Sequence, residues 1–151
     1  MSATTAEAGF SLDRAANTIR FKRRLAAAPD VVFAMWTQAE HVSRWWDPTG
    51  EPLTECQIDL RPGGAFSFAT EAHTDRPFAG VYREVSPPSR LVFDAMGSVG
   101  RVLLSEAPEG TLLTVEIECA SPEHLEQFVQ MGVAVGTAQT LDNLVTYAGE
   151  A

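Results

Sequence analysis

Tyr82, Asp94 and Arg101 are the polar residues of this chain best placed to do chemistry, because each falls on a predicted strand and would reach a cavity if its face turned inward. A buried Asp94 near Arg101 would orient a polar ligand group, or act as a general acid if burial raised its pKa. The histidines offer less. His41 follows Glu40 on a predicted helix, where adjacent residues do not face each other. His73 and Asp75 fall in a polar loop and His124 opens a helix, so all three histidines read as solvated or packing residues. No set supplies base, orienter and nucleophile together, so no catalytic residue is assigned and enzymatic activity is left open. Neither a GxxxxGK phosphate loop nor a GxSxG elbow occurs. Cys56 and Cys119 stand far apart without a CxxC or Cys/His cluster, which supports neither a metal site nor a redox motif, and no cofactor is implied.

Apolar candidates are more numerous. Trp36, Trp45 and Trp46 fall on two short predicted helices and would line a ligand entrance or pack the core, with Trp45 or Trp46 partly exposed at the mouth. Phe66, Phe68, Tyr82, Phe93 and Met96 lie on strands whose inner faces would bound a cavity. Strand alternation puts Phe93 and Met96 on opposite faces, so not all of them can contribute. Met131, beside a predicted helix break, completes the ligand-binding set with Asp94 and Arg101.

The elements that must position these residues follow from periodicity. Residues 1–16 are small and polar apart from Phe10 and Leu12, and read as a flexible arm before a single domain over 17–151. Ile19 and Phe21 alternate with polar neighbours as a half-buried strand. Pro29 suits the first turn of a helix. Thr37-Gln38-Ala39-Glu40 has the form of a capping box for a second helix, which Pro48 and Gly50 stop. From Leu53 the period becomes two. Strands then follow through Cys119, joined by Arg61-Pro62-Gly63-Gly64, a polar loop over 71–77, Ser86-Pro87-Pro88-Ser89, a corner marked by Gly97 and Gly100, and Pro108-Glu109-Gly110. Short strands joined this way imply an antiparallel meander. Ser121-Pro122 opens a helix. Its apolar stripe changes phase after Gly132, which predicts a short helix, a break near Met131–Gly132 and a long closing helix to about Ala148.

Bulk properties bound the partners. A chain of 151 residues buries roughly 68–70% of its unfolded surface, enough for one core without staples. Its net charge of −9 repels phosphate backbones and anionic lipid surfaces, so neither nucleic acid nor membrane is expected as a partner. Arg14, Arg20, Lys22, Arg23 and Arg24 form a local exception, read as a solvated basic strand face rather than an anion patch. No signal segment precedes the domain and no stretch approaches the ~18 apolar residues of a membrane span. With two small thiols expected to be buried, a reducing cytoplasm is the expected setting. A homodimer is compatible with the chain, isologous pairs being the commonest soluble oligomers, but the sequence supplies no direct evidence for one.

This order of elements resembles the helix-grip fold of the START-like (SRPBCC) superfamily, an α+β architecture. The segments Ala28-Pro29 with Val32-Phe33, Arg44-Trp45-Trp46, Arg61-Pro62-Gly63-Gly64, Gly80 with Glu84-Val85, Arg90-Leu91-Val92-Phe93 and Glu109-Gly110-Thr111 are similar to the branch of heat-shock-protein ATPase activator homologues. Met131-Gly132, Gly136 and Leu141-Asp142-Asn143-Leu144 extend the similarity, which runs from about residue 17 to 148. Order and spacing carry it, since no single motif is specific. The resemblance implies a curved antiparallel sheet wrapped around a long C-terminal helix, with two short helices after the first strand and an apolar cavity between sheet and helix. It does not imply one activity, and a single-domain member would lack the extra domain through which chaperone activators hold their client. The leading expectation is binding of a small, mostly apolar molecule. The alternatives are a cyclase, dehydratase or hydrolase of the same fold, and a protein-interaction module.

Overall fold

The computed structural model describes residues 4, 5, 9–47, 49–71, 75 and 77–150. Among these, nine strands make one antiparallel sheet. They are β1 (Thr4–Thr5), β2 (Phe10–Asp13), β3 (Thr18–Leu25), β4 (Glu55–Ile58), β5 (Ala65–Ala69), β6 (Phe78–Ser86), β7 (Arg90–Ala95), β8 (Ser98–Ala107) and β9 (Gly110–Glu118). The sheet is curved and unclosed, in the order β1-β2-β3-β9-β8-β7-β6-β5-β4. The crossover from β3 to β4 carries helices α1 (Pro29–Thr37) and α2 (Ala39–Trp45). After β9 come α3 (Pro122–Gln130) and the long α4 (Val133–Glu150). The α+β helix-grip architecture is thus present.

One face of the sheet is buried because apolar residues recur at every second position. Ile19, Phe21 and Leu25 on β3, Leu113 and Val115 on β9, Val102 and Leu104 on β8, and Leu91 and Phe93 on β7 all enter one core. On β6 the inward set is Phe78, Gly80 and Tyr82, then Val85; the change of parity is made by a bulge between Tyr82 and Glu84. Against this face α4 buries Ala134, Ala138, Leu141, Leu144 and Ala148, a stripe spaced by three and four residues. Ser121 caps α3 through a bond from the His124 N–H. The predicted break follows at Gly132, whose φ of +80° favours a residue without a side chain.

Four local features differ from the sequence reading. The expected arm over 1–16 contains β2, paired to β3 through Ser11↔Arg20, Leu12↔Ile19 and Asp13↔Thr18. Phe10 and Leu12 pack on the core, with the Phe10 ring 6.1 Å from Phe21. Two bulky residues spaced by two were a strand signal diluted by their small neighbours. The capping box does not form: Thr37 still belongs to α1 and donates back to the Phe33 carbonyl at 2.8 Å, leaving Gln38 as the uncapped start of α2. Gly100 is no corner but lies inside β8. The corner is Met96-Gly97, both at positive φ, as a two-residue hairpin turn requires. The basic run is likewise not a uniform solvated face. Arg23 points inward, only 12% exposed, and its guanidinium donates to Asp142 and to the Gly9 and Ala138 carbonyls at 2.9, 2.9 and 3.3 Å. Arg20 pairs with Glu116 and Arg14 with Glu126, while Lys22 and Arg24 face solvent. The predicted polar loop over 71–77, His73 included, lies largely outside the described residues.

Candidate functional site

Gln38 is extended between α1 and α2, so the chain turns there and brings the end of each helix to the same place. Trp36 from α1 then meets Trp45 and Trp46, with ring centroids 4.8 and 6.3 Å away. The end of α2 is pinned to α4 by two side chains. Thr140 Oγ1 donates to the Trp46 carbonyl and Asn143 Nδ2 to the Asp47 carbonyl, both at 2.9 Å. His41 Nδ1 and the Tyr147 hydroxyl add a third link at 2.7 Å.

Between this junction, the sheet and α4 lies a cavity of about 280 Å³. Trp36, Trp46 and Phe78 form one wall. The sheet contributes Phe93, Ala95, Ser98, Gly100, Val115 and Ile117, and the β7–β8 turn contributes Met96. The helical wall is Phe128 of α3 with Val133, Gly136, Thr137, Thr140 and Leu141 of α4. The space survives because small residues stand where a filled core would have large ones. Gly100 is the clearest case: it lies directly across from Phe93, and a Cβ there would sit 2.5 Å from the ring. The ring therefore lies over the glycine.

The wall is apolar apart from a few hydroxyls and indole N–H groups, and none of the described residues lining it is charged. Ser98 donates to the Ala95 carbonyl at 2.7 Å, and Thr140 is occupied as above. The Thr137 hydroxyl makes no hydrogen bond among the described residues. Trp36 Nε1 is buried without a partner, edge-on to the neighbouring indoles.

The predicted site residues divide into three groups. Trp36, Trp46, Phe93 and Met96 line the cavity. Met96 does so together with Phe93 because it sits in the hairpin turn, where strand alternation no longer applies; it is 51% exposed, at the rim. Phe66, Phe68 and Tyr82 belong instead to a packed aromatic block, with Phe66 5.0 Å from Tyr82 and 5.4 Å from Phe93. The void inside that block is about 10 Å³, at or below what one water needs. Trp45 is core, 1% exposed, its Nε1 donating to the Met35 carbonyl at 3.0 Å. Burial pushes the Tyr82 phenol well above its ordinary range, with the nearby Cys56 thiol adding to the effect, and burial raises the Cys56 and Cys119 thiols too.

The third group lies elsewhere. Asp94 accepts from Arg83 Nε at 2.7 Å on the outer face of the sheet. Arg101 pairs there with Glu116 and Glu118. Both occupy positions one step out of phase with the inward residues Phe93 and Gly100. Met131 caps α3 and is 66% exposed, outside the cavity lining. Among the described residues no His, Cys, Asp and Glu cluster could hold a metal ion. No described helix is long and apolar enough to cross a membrane. Sequence reasoning missed Phe78, Ala95, Ser98, Gly100 and Thr140 as lining residues. For Thr137 and Phe128, which fall in the apolar stripes on either side of the phase change, the break at Gly132 was the available signal.

Residues 26–149 match the family model described as Activator of Hsp90 ATPase homolog 1-like protein. Solved structures share the fold. A Rhodobacter sphaeroides protein is 23% identical with a TM-score of 0.79, the alignment covering 89% of this chain and 94% of that one. An Arthrobacter aurescens protein is 19% identical with a TM-score of 0.80, over 94% and 91%. CalU16 from Micromonospora echinospora is 29% identical with a TM-score of 0.64, over 87% and 75%. No curated protein matches the chain. On a family match that spans the helices, the cavity walls and all of the sheet after β3, the chain belongs to the Activator of Hsp90 ATPase homolog 1-like family.

Proposed function

We propose that this protein binds a small, mostly apolar molecule in the cavity between the sheet and α4, without transforming it. The observation that carries the reading is a hollow of about 280 Å³ walled by aromatic and small residues with no charged side chain among them. That volume lies at the lower edge of the range of ligand pockets. Such a wall favours an apolar guest by burial and gives a reacting group neither acid nor base. Of the three polar residues that would have carried an enzymatic alternative, Asp94 and Arg101 hold ion partners on the opposite face and Tyr82 is packed in the aromatic block beside the hollow. The unpaired thiols of Cys56 and Cys119 support a cytoplasmic setting.

The test is native mass spectrometry of the protein as purified, with extraction of any guest, followed by a broad panel of small apolar compounds read by tryptophan emission. Two indoles, Trp36 and Trp46, line the site and would report binding. Ala95→Leu, which fills the hollow from the sheet side, is expected to abolish the response while the fold remains. A wild-type protein that carries no guest and answers to nothing in the panel overturns the reading.

A further inference from the structure

We propose that Thr137 determines specificity in this cavity, and that the molecule it selects is uncharged, about two fused rings in size, and carries one hydroxyl or carbonyl oxygen. The inference rests on the binding reading above and names the class of ligand. An apolar protein cavity of about 150 Å³ accommodates benzene. The hollow here, at about 280 Å³, is nearly twice that and suits a bicyclic compound.

Charge is disfavoured by the wall itself. A carboxylate or ammonium group entering it would leave water and meet no counter-charge among the described lining residues, at a cost far above that of a neutral oxygen. A single neutral polar group is different, because the wall holds one uncommitted hydroxyl for it. A hydroxyl in a helix can bond back to the carbonyl four residues earlier. Thr37 and Ser43 do so here, to Phe33 and Ala39, both at 2.8 Å. Ser98 and Thr140 have likewise given their protons to backbone carbonyls. Thr137 has given its proton to nothing among the described residues, although it stands on the cavity wall one helical turn after Val133. Trp36 Nε1 is also unspent but fully buried, which closes it to an occupant, and the Trp46 indole N–H, which makes no hydrogen bond among the described residues, can only donate. A hydroxyl can both donate and accept, so Thr137 would pair with an alcohol in either sense and donate to a ketone.

The test uses three probes of one shape, indane, 2-indanol and the indane-2-carboxylate ion, titrated into the wild type, Thr137→Val and Thr137→Ser. Valine keeps the volume of threonine and removes the hydroxyl, while serine keeps the hydroxyl. Thr137→Val is expected to weaken 2-indanol about three- to tenfold and to leave indane unchanged, as for loss of one neutral hydrogen bond. Thr137→Ser is expected to hold 2-indanol within about twofold of wild type, and serves alone if the valine variant does not fold. The carboxylate is expected to bind the wild type at least tenfold more weakly than the alcohol. An equal effect of Thr137→Val on both neutral probes, no effect on either, loss of 2-indanol binding in Thr137→Ser, or a carboxylate as tight as the alcohol overturns the proposal. If indane and 2-indanol both fail to bind the wild type while the broad panel yields a guest, the ligand class proposed here is wrong and the cavity reading stands; if the panel yields nothing either, both fall.

Discussion

Gly100→Ala is the smallest substitution that probes how the hollow is built. The added Cβ would stand 2.5 Å from Phe93 Cε1 and Cζ and 2.7 Å from Cε2. The backbone cannot yield easily, because Gly100 is paired on both sides, to Phe93 on β7 and to Ile117 on β9. The ring must therefore move, against Phe66 at 5.4 Å on one side or into the cavity on the other. Inserting a methyl group into packed surroundings costs about 1–3 kcal/mol. With a urea m-value of about 2 kcal/mol/M, a loss of about 2 kcal/mol lowers the unfolding midpoint by about 1 M at constant slope. The cause is isolated by repeating the change in a Phe93→Leu background, where the smaller side chain makes room. The two substitutions should then couple by about 1 kcal/mol or more. A Gly100→Ala protein within about 0.5 kcal/mol of wild type, or a cost undiminished in the Phe93→Leu background, would refute the reasoning.

Arg23→Ala removes bonds to Asp142 and to the Gly9, Lys22 and Ala138 carbonyls at once, and is expected to cost about 1.5–3 kcal/mol in urea unfolding, whereas Lys22→Ala on the solvent side stays within about 0.5. Trp45→Ala should cost about 3–5 kcal/mol as a core truncation, while Trp46→Ala costs less and instead weakens binding of apolar probes; equal stability losses would contradict the division between core and cavity wall. The raised pKa of Tyr82 fixes a pH dependence. The folded protein holds that proton above pH ~10, where the unfolded chain releases it, so the stabilisation is complete below that pH and is lost as pH rises beyond it. Tyr82→Phe should accordingly lose less stability than wild type between pH ~9 and ~11, measured as urea midpoints.

Much of the fold was legible because it rests on local periodicity. The period-two alternation of β3 and β9, the proline openings of α1 and α3, and the phase change at Gly132 each carry their structural meaning in adjacent residues. The site was less legible because it depends on which face a residue presents and on what lies across the sheet. Asp94 and Phe93 differ by one position and point to opposite sides, and which of the two meets the core follows from the pairing of the whole strand with β6 and β8. The role of Gly100 exists only through its cross-strand partner Phe93, a pairing that register decides. Thr137 looked like one more member of a buried stripe, and only the hydrogen bonds made by the other hydroxyls set it apart.

Binding as proposed requires that the space among Trp36, Trp46, Phe93 and Phe128 be a real hollow open to an apolar guest. A crystal of the protein pressurised with xenon tests it most directly. Xenon density is expected at that position, with at most weak density in the aromatic block around Phe66 and Tyr82. Side chains closed over the space, with no bound gas, would contradict it.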